Sequence, residues 1–243
     1  MSSAVARAGE WEPEADNWVR WARTPGHDAY WYYRHAFFGD LLPAVGRRTL
    51  EIGCGEGRVA RDLAGRGHRV VAVDTSLSLL RRAQGDGGGI DYVLADGAAL
   101  PFADASFDVV VAYNSLQVVK DMHAAVSEAA RVLQDGGKLC LCVSHPVTDL
   151  GRFDGEDDDA DFVLRPRYFE TERVEDTIER DGLTMTFRGW THSLEGYFVA
   201  LEDAGLQVEV VREPRPADPP ARYRRYARLP MFMNLRAGKA VGH

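Results

Sequence analysis

An apolar run ends in three glycines at alternate positions and passes directly into a helical pattern: Leu50-Glu51-Ile52-Gly53-Cys54-Gly55-Glu56-Gly57-Arg58. Glycine at such a turn lets the backbone approach a ligand with no Cβ in the way. The helix predicted from Gly57 aims its free N–H groups and positive dipole end at the same spot. A strand, a tight turn and a helix are thus fixed in succession. Their junction suits a ligand that carries a carboxylate or phosphates next to a ribose.

Regular alternation follows. Strand 48–53 leads to helix 57–66, strand 69–74 to helix 76–84, and the glycine-rich 85–89 is a loop before strand 90–95. Residues 107–113 are a continuous apolar strand, as expected where both faces of a sheet are covered. Helix 121–133 ends before the Asp135-Gly136-Gly137 turn, and strand 138–144 closes this half. Strands alternating with helices predict an α/β fold with a doubly wound parallel sheet.

The flanks read differently, and the whole is one domain in four parts: 1–46, 47–144, 145–192 and 193–243. Residues 1–46 are a helical N-terminal part in which Asp28 caps a helix over 29–42, ended by Pro43. Its aromatic cluster (Trp18, Trp21, Tyr30, Trp31, Tyr32, Tyr33, Phe37, Phe38) suits packing against the sheet, a lid over a site, or both for different rings. Residues 151–161 are an acidic, solvated loop, too undefined in geometry for a metal site. Strands 168–178 and 183–190 form a hairpin at Asp181-Gly182. Helix 193–204 stops at Gly205, and strands 206–212 and 229–237 follow, joined by a Pro/Arg-rich loop.

The net charge of −8 argues against a general polyanion binder. The basic, aromatic Arg222-Tyr223-Arg224-Arg225-Tyr226-Ala227-Arg228 is accordingly read as a solvated loop or dimer contact, not an RNA patch. With only Cys54, Cys140 and Cys142, neither a disulfide framework nor a zinc site is expected. The chain has no apolar run of about 18 residues and no secretory signal, so a cytoplasmic protein away from membranes is expected.

The glycine spacing departs from the dinucleotide pattern, because Arg58 stands in the place of the third glycine. Asp74, ending the second strand, can accept both ribose hydroxyls. Asp96 can accept from an adenine amino group, with Gly97 and Ala98 giving backbone access. No tyrosine has a lysine four residues later, which argues against a short-chain dehydrogenase.

These motifs together resemble class I S-adenosylmethionine-dependent methyltransferases of the small-molecule, ubiquinone-biosynthesis-like group. The residues that carry the resemblance are Leu50–Gly57, Val73-Asp74-Thr75-Ser76, Ala95–Phe102 with Ser106-Phe107-Asp108, and Arg131–Gly137. The resemblance implies a Rossmann-like, mostly parallel seven-stranded sheet whose last strand is antiparallel, here with an N-terminal helical lid and an inserted β-hairpin. It places Glu51, Gly53, Cys54 and Gly55 along the methionine half of the cofactor and Asp74 at the ribose. Thr75 and Ser76 would border the adenine, Asp96, Gly97 and Ala98 would meet its edge, and Asn114 would lie beside the sulfonium.

The expected chemistry is methyl transfer to an O, N or C atom of a small molecule, with S-adenosylhomocysteine as product. His145, beyond the fifth strand, and His192, before helix 193–204, are the candidate bases. His27 and His35 are weaker candidates, and His68 and His123 read as surface positions. Tyr30 and Tyr33 are candidates to orient substrate. Tyr113-Asn114-Ser115-Leu116 lacks the Pro-Pro-Tyr of many nucleic-acid and glutamine methyltransferases. A nucleic-acid or protein methyltransferase and a non-methylating cofactor binder remain as alternatives, and the protein is expected as a monomer or homodimer.

Overall fold

The computed structural model describes residues 11–44, 48–164 and 167–241. A 3-10 turn at Glu12–Glu14 enters α1 (Ala15–Arg23), and α2 (Tyr30–Ala36) runs on into a π-turn at Phe37–Leu41. Asp28 serves the predicted start of this helix, its Oδ1 accepting from the Tyr30 N–H at 2.8 Å. The first ten residues and the predicted boundary at 46/47 lie outside the described residues.

Then come β1 (Arg48–Ile52), α3 (Arg58–Ala64), β2 (Arg69–Asp74), α4 (Leu77–Gly85), β3 (Asp91–Leu94), β4 (Phe107–Tyr113), α5 (Met122–Val132) and β5 (Leu133–Ser144). The second half holds α6 (Pro146–Asp149), the ribbon β6 (Gly151–Phe153) with β7 (Phe162–Leu164), and the hairpin β8 (Arg173–Arg180) with β9 (Leu183–Trp190). It closes with α7 (Leu194–Asp203), β10 (Leu206–Arg212), α8 (Ala221–Arg224) and β11 (Phe232–Lys239).

Seven strands form one sheet in the order β10-β11-β5-β4-β1-β2-β3. Only β11 runs against its neighbours, and it lies between β10 and β5, one place in from the edge. Alternate residues of β4 serve opposite layers, as a strand covered on both faces requires. Val110 and Ala112 join α5 and α7 through Met122, Val126, Tyr197 and Leu201. Val109, Val111 and Tyr113 join α2, α3 and α4 through Tyr33, Val59, Leu63 and Leu80.

Several expectations need correction. Strand β5 begins at Leu133, not 138, because the Asp135-Gly136-Gly137 turn is absorbed as an irregularity: Phe107 pairs with Leu133 and Val109 with Lys138. Helix α3 is shorter than 57–66, β8 starts five residues later than expected, and β11 lies at 232–239 instead of 229–237. The acidic segment is not simply a solvated loop, since β6 and β7 pair across it. The basic segment near it is not free either. Arg225 donates to the Gly155 carbonyl, and Arg228 donates to those of Asp158 and Ala160. His68 is buried, not at the surface, with Nδ1 2.9 Å from the Thr49 hydroxyl.

Candidate cofactor site

Strand β1 pairs in parallel with β2 and β4, so their carboxyl ends lie side by side; the crevice outside such strand ends is where open α/β sheets bind ligands. After Ile52 the backbone turns left-handed at Gly53 (φ 72°), and the Gly53 and Cys54 N–H groups both donate to the Val73 carbonyl at 2.8 and 3.0 Å. A Cβ at Gly53 would stand 2.4 Å from that of Ser115, so only glycine fits. The Ser115 hydroxyl in turn donates to the Ile52 carbonyl at 2.6 Å, locking the end of β4 to that of β1.

Asp74 organises the neighbouring turn. One carboxylate oxygen accepts from the Gly55 N–H and the other from the Ser76 N–H, each at 2.8 Å. Burial raises its pKa, and these N–H donors oppose the rise. Glu51, on β1, is buried and pushed up to about 8, first by desolvation and then by the charge of Asp74. Its Oε2 has no hydrogen-bond partner. The Cys54 thiol is also buried and pushed well up, so it is no nucleophile.

The other proposed contacts sit around this pair. Ser76 caps α4, its hydroxyl accepting from the Leu79 N–H, and Thr75 is half-buried between Asp74 and that cap. Asp96, after β3, is exposed and accepts from the Ala98 N–H at 2.9 Å, while a Cβ at buried Gly97 would press on Ile52 at 2.7 Å. Asn114 takes a left-handed conformation (φ 51°), its N–H donating to the Cys142 carbonyl at 2.7 Å.

His145 caps α6 by accepting from the Val147 N–H at 3.2 Å, and its Nε2 is 3.0 Å from Glu213. Burial lowers the pKa of His145, with Glu213 opposing. His192 is held down by burial as well, and its Nε2 is enclosed without a partner. The Tyr30 hydroxyl donates to Asp62 at 2.5 Å, and its ring meets Tyr113 edge-on at 5.3 Å. Tyr33 packs on Phe232, and its hydroxyl is buried and unpaired.

Three residues at the crevice carried no assignment from the sequence. The Trp18 indole nitrogen lies 3.2 Å from where a Cβ at Gly55 would be. The Glu12 carboxylate accepts from both the Ser76 and Ser78 hydroxyls. Arg58 pairs with Asp28 at 2.6 Å and lies 4.3 Å from the Tyr30 ring centroid and 5.0 Å from that of Trp18. The only sequence signal was Arg58 in a glycine's place and Trp18 among the aromatics.

Residues 50–141 match the model of a methyltransferase domain. The match covers the strands and turns that build the crevice, and the fold is shared with solved S-adenosylmethionine-dependent methyltransferases. A solved S-adenosylmethionine-dependent methyltransferase from Mesorhizobium loti is 25% identical, with a TM-score of 0.68 over 87% of this chain and 98% of that one. A demethylmenaquinone methyltransferase of Renibacterium salmoninarum is 39% identical over 110 residues, 44% of this chain and 46% of that protein. A malonyl-(acyl-carrier protein) O-methyltransferase of Pseudescherichia vulneris is 39% identical over 105 residues, 42% of each. The chain thus spans less than half the length of either curated relative.

The residues of the crevice fit S-adenosylmethionine, which the solved relatives depend on. Glu51 offers a buried acceptor with no donor, which suits an ammonium group. Each Asp74 oxygen has accepted one backbone N–H and keeps a lone pair for a ribose hydroxyl. Among the described residues, no helix is long and apolar enough to cross a membrane.

Proposed function

We propose that this protein transfers a methyl group from S-adenosylmethionine to an O, N or C atom of a small-molecule acceptor. The pairing of Glu51, with its unfilled acceptor, and Asp74 across the glycine turn carries this reading. The cofactor, when bound, supplies a methyl carbon on a cationic sulfur. Glu51 holds the amino group, with Gly53, Cys54 and Gly55 along the methionine half. Asp74 holds the ribose. Thr75, Ser76, Asp96, Gly97 and Ala98 frame the adenine, and Asn114 flanks the sulfur.

For in-line displacement the protein must hold the acceptor about 3–3.5 Å from the methyl carbon, a positioning effect worth roughly 7–11 kcal/mol. An acceptor that carries a proton also needs a base. His192 suits that role better than His145, because its Nε2 is free of partners and burial keeps it neutral near pH 7. Both nitrogens of His145 are engaged. Tyr33, with its unpaired hydroxyl, suits substrate contact better than Tyr30, whose hydroxyl is committed to Asp62. The net charge of −8 favours a small acceptor over nucleic acid. Three buried free cysteines fit a reducing cytoplasm.

Mass spectrometry of the nucleotide retained on purification, with calorimetry against S-adenosylhomocysteine, tests the cofactor. A retained NAD and no binding of S-adenosylhomocysteine would overturn the reading. Transfer of isotope-labelled methyl into a small-molecule extract tests the reaction. His192→Ala should lower the transfer rate by about 10²–10⁴-fold with cofactor affinity kept. Cofactor binding with no transfer to any acceptor would favour a non-methylating binder.

A further inference from the structure

Both ends of the crevice are covered by one short segment. Trp18 stands over Gly55, at the methionine end, and Glu12 reaches Ser76 and Ser78, at the adenosine end. The Glu12 carboxylate accepts three hydrogen bonds there, from the Ser76 hydroxyl, the Ser78 hydroxyl and the Ser78 N–H. Residues 11–18 thus lie across the crevice from end to end.

The two ends of this segment are held differently. At its far end Trp21 is 2% exposed and meets Phe187 and His27 edge-on at 5.7 and 5.0 Å. Ala22 accepts from the Trp31 indole at 3.2 Å, and Arg23 pairs with buried Glu56 at 2.6 Å. The His27 carbonyl accepts from Arg180 and from Tyr223 at 2.6 and 2.7 Å. Over the crevice the contacts are more polar and more exposed. They include the Glu12 hydrogen bonds, a Glu14–Arg188 pair at 3.1 Å, and an Asp16–Arg82 pair whose members are both exposed. Trp18 adds edge-on contacts with Trp11 and Phe187 at 5.7 and 6.4 Å and carries the Arg58 guanidinium over its ring. The geometry is that of a lever pinned at residues 21–27 and latched at residue 12.

We propose that residues 11–18 form a strap that must lift for cofactor to enter or leave, and that the Glu12 latch on Ser76 and Ser78 sets the exchange rate. The proposal rests on the cofactor site assigned above. A latch closed in both the empty and the loaded protein slows entry and exit alike and leaves affinity nearly unchanged.

Stopped-flow tryptophan fluorescence with S-adenosylhomocysteine tests this. Glu12→Ala should raise the association and dissociation rates together by about tenfold, with the equilibrium constant within about threefold of the parent. A change in one rate alone, or in neither, would overturn it. The complementary variant joins Glu12→Cys to Ser78→Cys through a short bis-maleimide, the native cysteines being buried. Linking before ligand is added should slow uptake at least tenfold, and linking afterwards should trap the ligand. Uptake at the unlinked rate by linked protein would sink the proposal. If the parent does not bind S-adenosylhomocysteine at all, the site assignment fails first and the strap falls with it.

Discussion

Helices α1 and α2 are neighbours in sequence, both rich in aromatic residues, yet they are held by different forces. From α2 onward Tyr30, Tyr33, Phe37 and Leu41 are each no more than 1% exposed and belong to the layer beneath the sheet. Along α1 only Ala15, Trp21 and Ala22 are buried, and the turn that leads into it is held over the crevice through Glu12 and Glu14 by hydroxyls and a guanidinium group. Aromatic content therefore does not distinguish a helix buried along its length from one whose first turn rests on polar contacts. The distinction lies in which rings find apolar partners and which sit at an edge.

The largest expected effect tests that difference directly. Phe37→Ala should cost about 3–5 kcal/mol in urea unfolding, because it empties a filled site. Trp18→Ala, on the half-buried strap, should cost no more than about 1.5 kcal/mol and show itself mainly in ligand exchange. Equal losses would erase the contrast.

The floor and the strap should also answer pH with opposite signs. Glu51 is raised to about 8, so between about pH 4.5 and 8 the unfolded chain is ionised there while the fold keeps the proton. Its contribution to stability should fall across that window by at most about 1.4 kcal/mol per pH unit, and level off above it. Glu51→Gln should flatten the slope measured by chemical denaturation at several pH values. Glu12 is held below the ordinary glutamate range by the Ser76 and Ser78 hydroxyls. Its contribution is present above that range and is lost only on acidification through its lowered pKa.

Smaller effects follow. Asp74→Asn should weaken S-adenosylhomocysteine at least tenfold by calorimetry, because it removes the charged acceptor proposed for the ribose. Asp16→Ala, which removes an exposed pair with Arg82, should shift stability by less than about 0.5 kcal/mol. A large loss there would mean that α1 is anchored along its whole length.

Much of the sheet was legible because its signals are local. The apolar runs at 69–74 and 107–113 are strands as read, and the Asp181-Gly182 turn has positive φ at both residues (48° and 76°), as a tight hairpin requires. The glycine turn and Asp74 were readable from spacing, and the structure joins them through the Gly55 N–H. What stayed hidden depends on distant partners. Glu12 and Ser78 are 66 positions apart, and no periodicity links them. His68 reads as a surface residue because its buried partner, Thr49, lies 19 positions back on β1. The β6–β7 ribbon was missed because its three-residue strands are too short to show alternation, and the arginines that grip its loop come some 70 residues later.

Strand β11 is threaded between β5 and β10, so the last-made part of the sheet is not its outermost part. A ribosome that has released the chain only as far as Met231 carries a sheet with β5 as a bare margin and β10 with no neighbour. Such unpaired backbone invites wrong partners. The nascent protein should therefore remain a client of chaperones until residues 232–239 emerge and slot in.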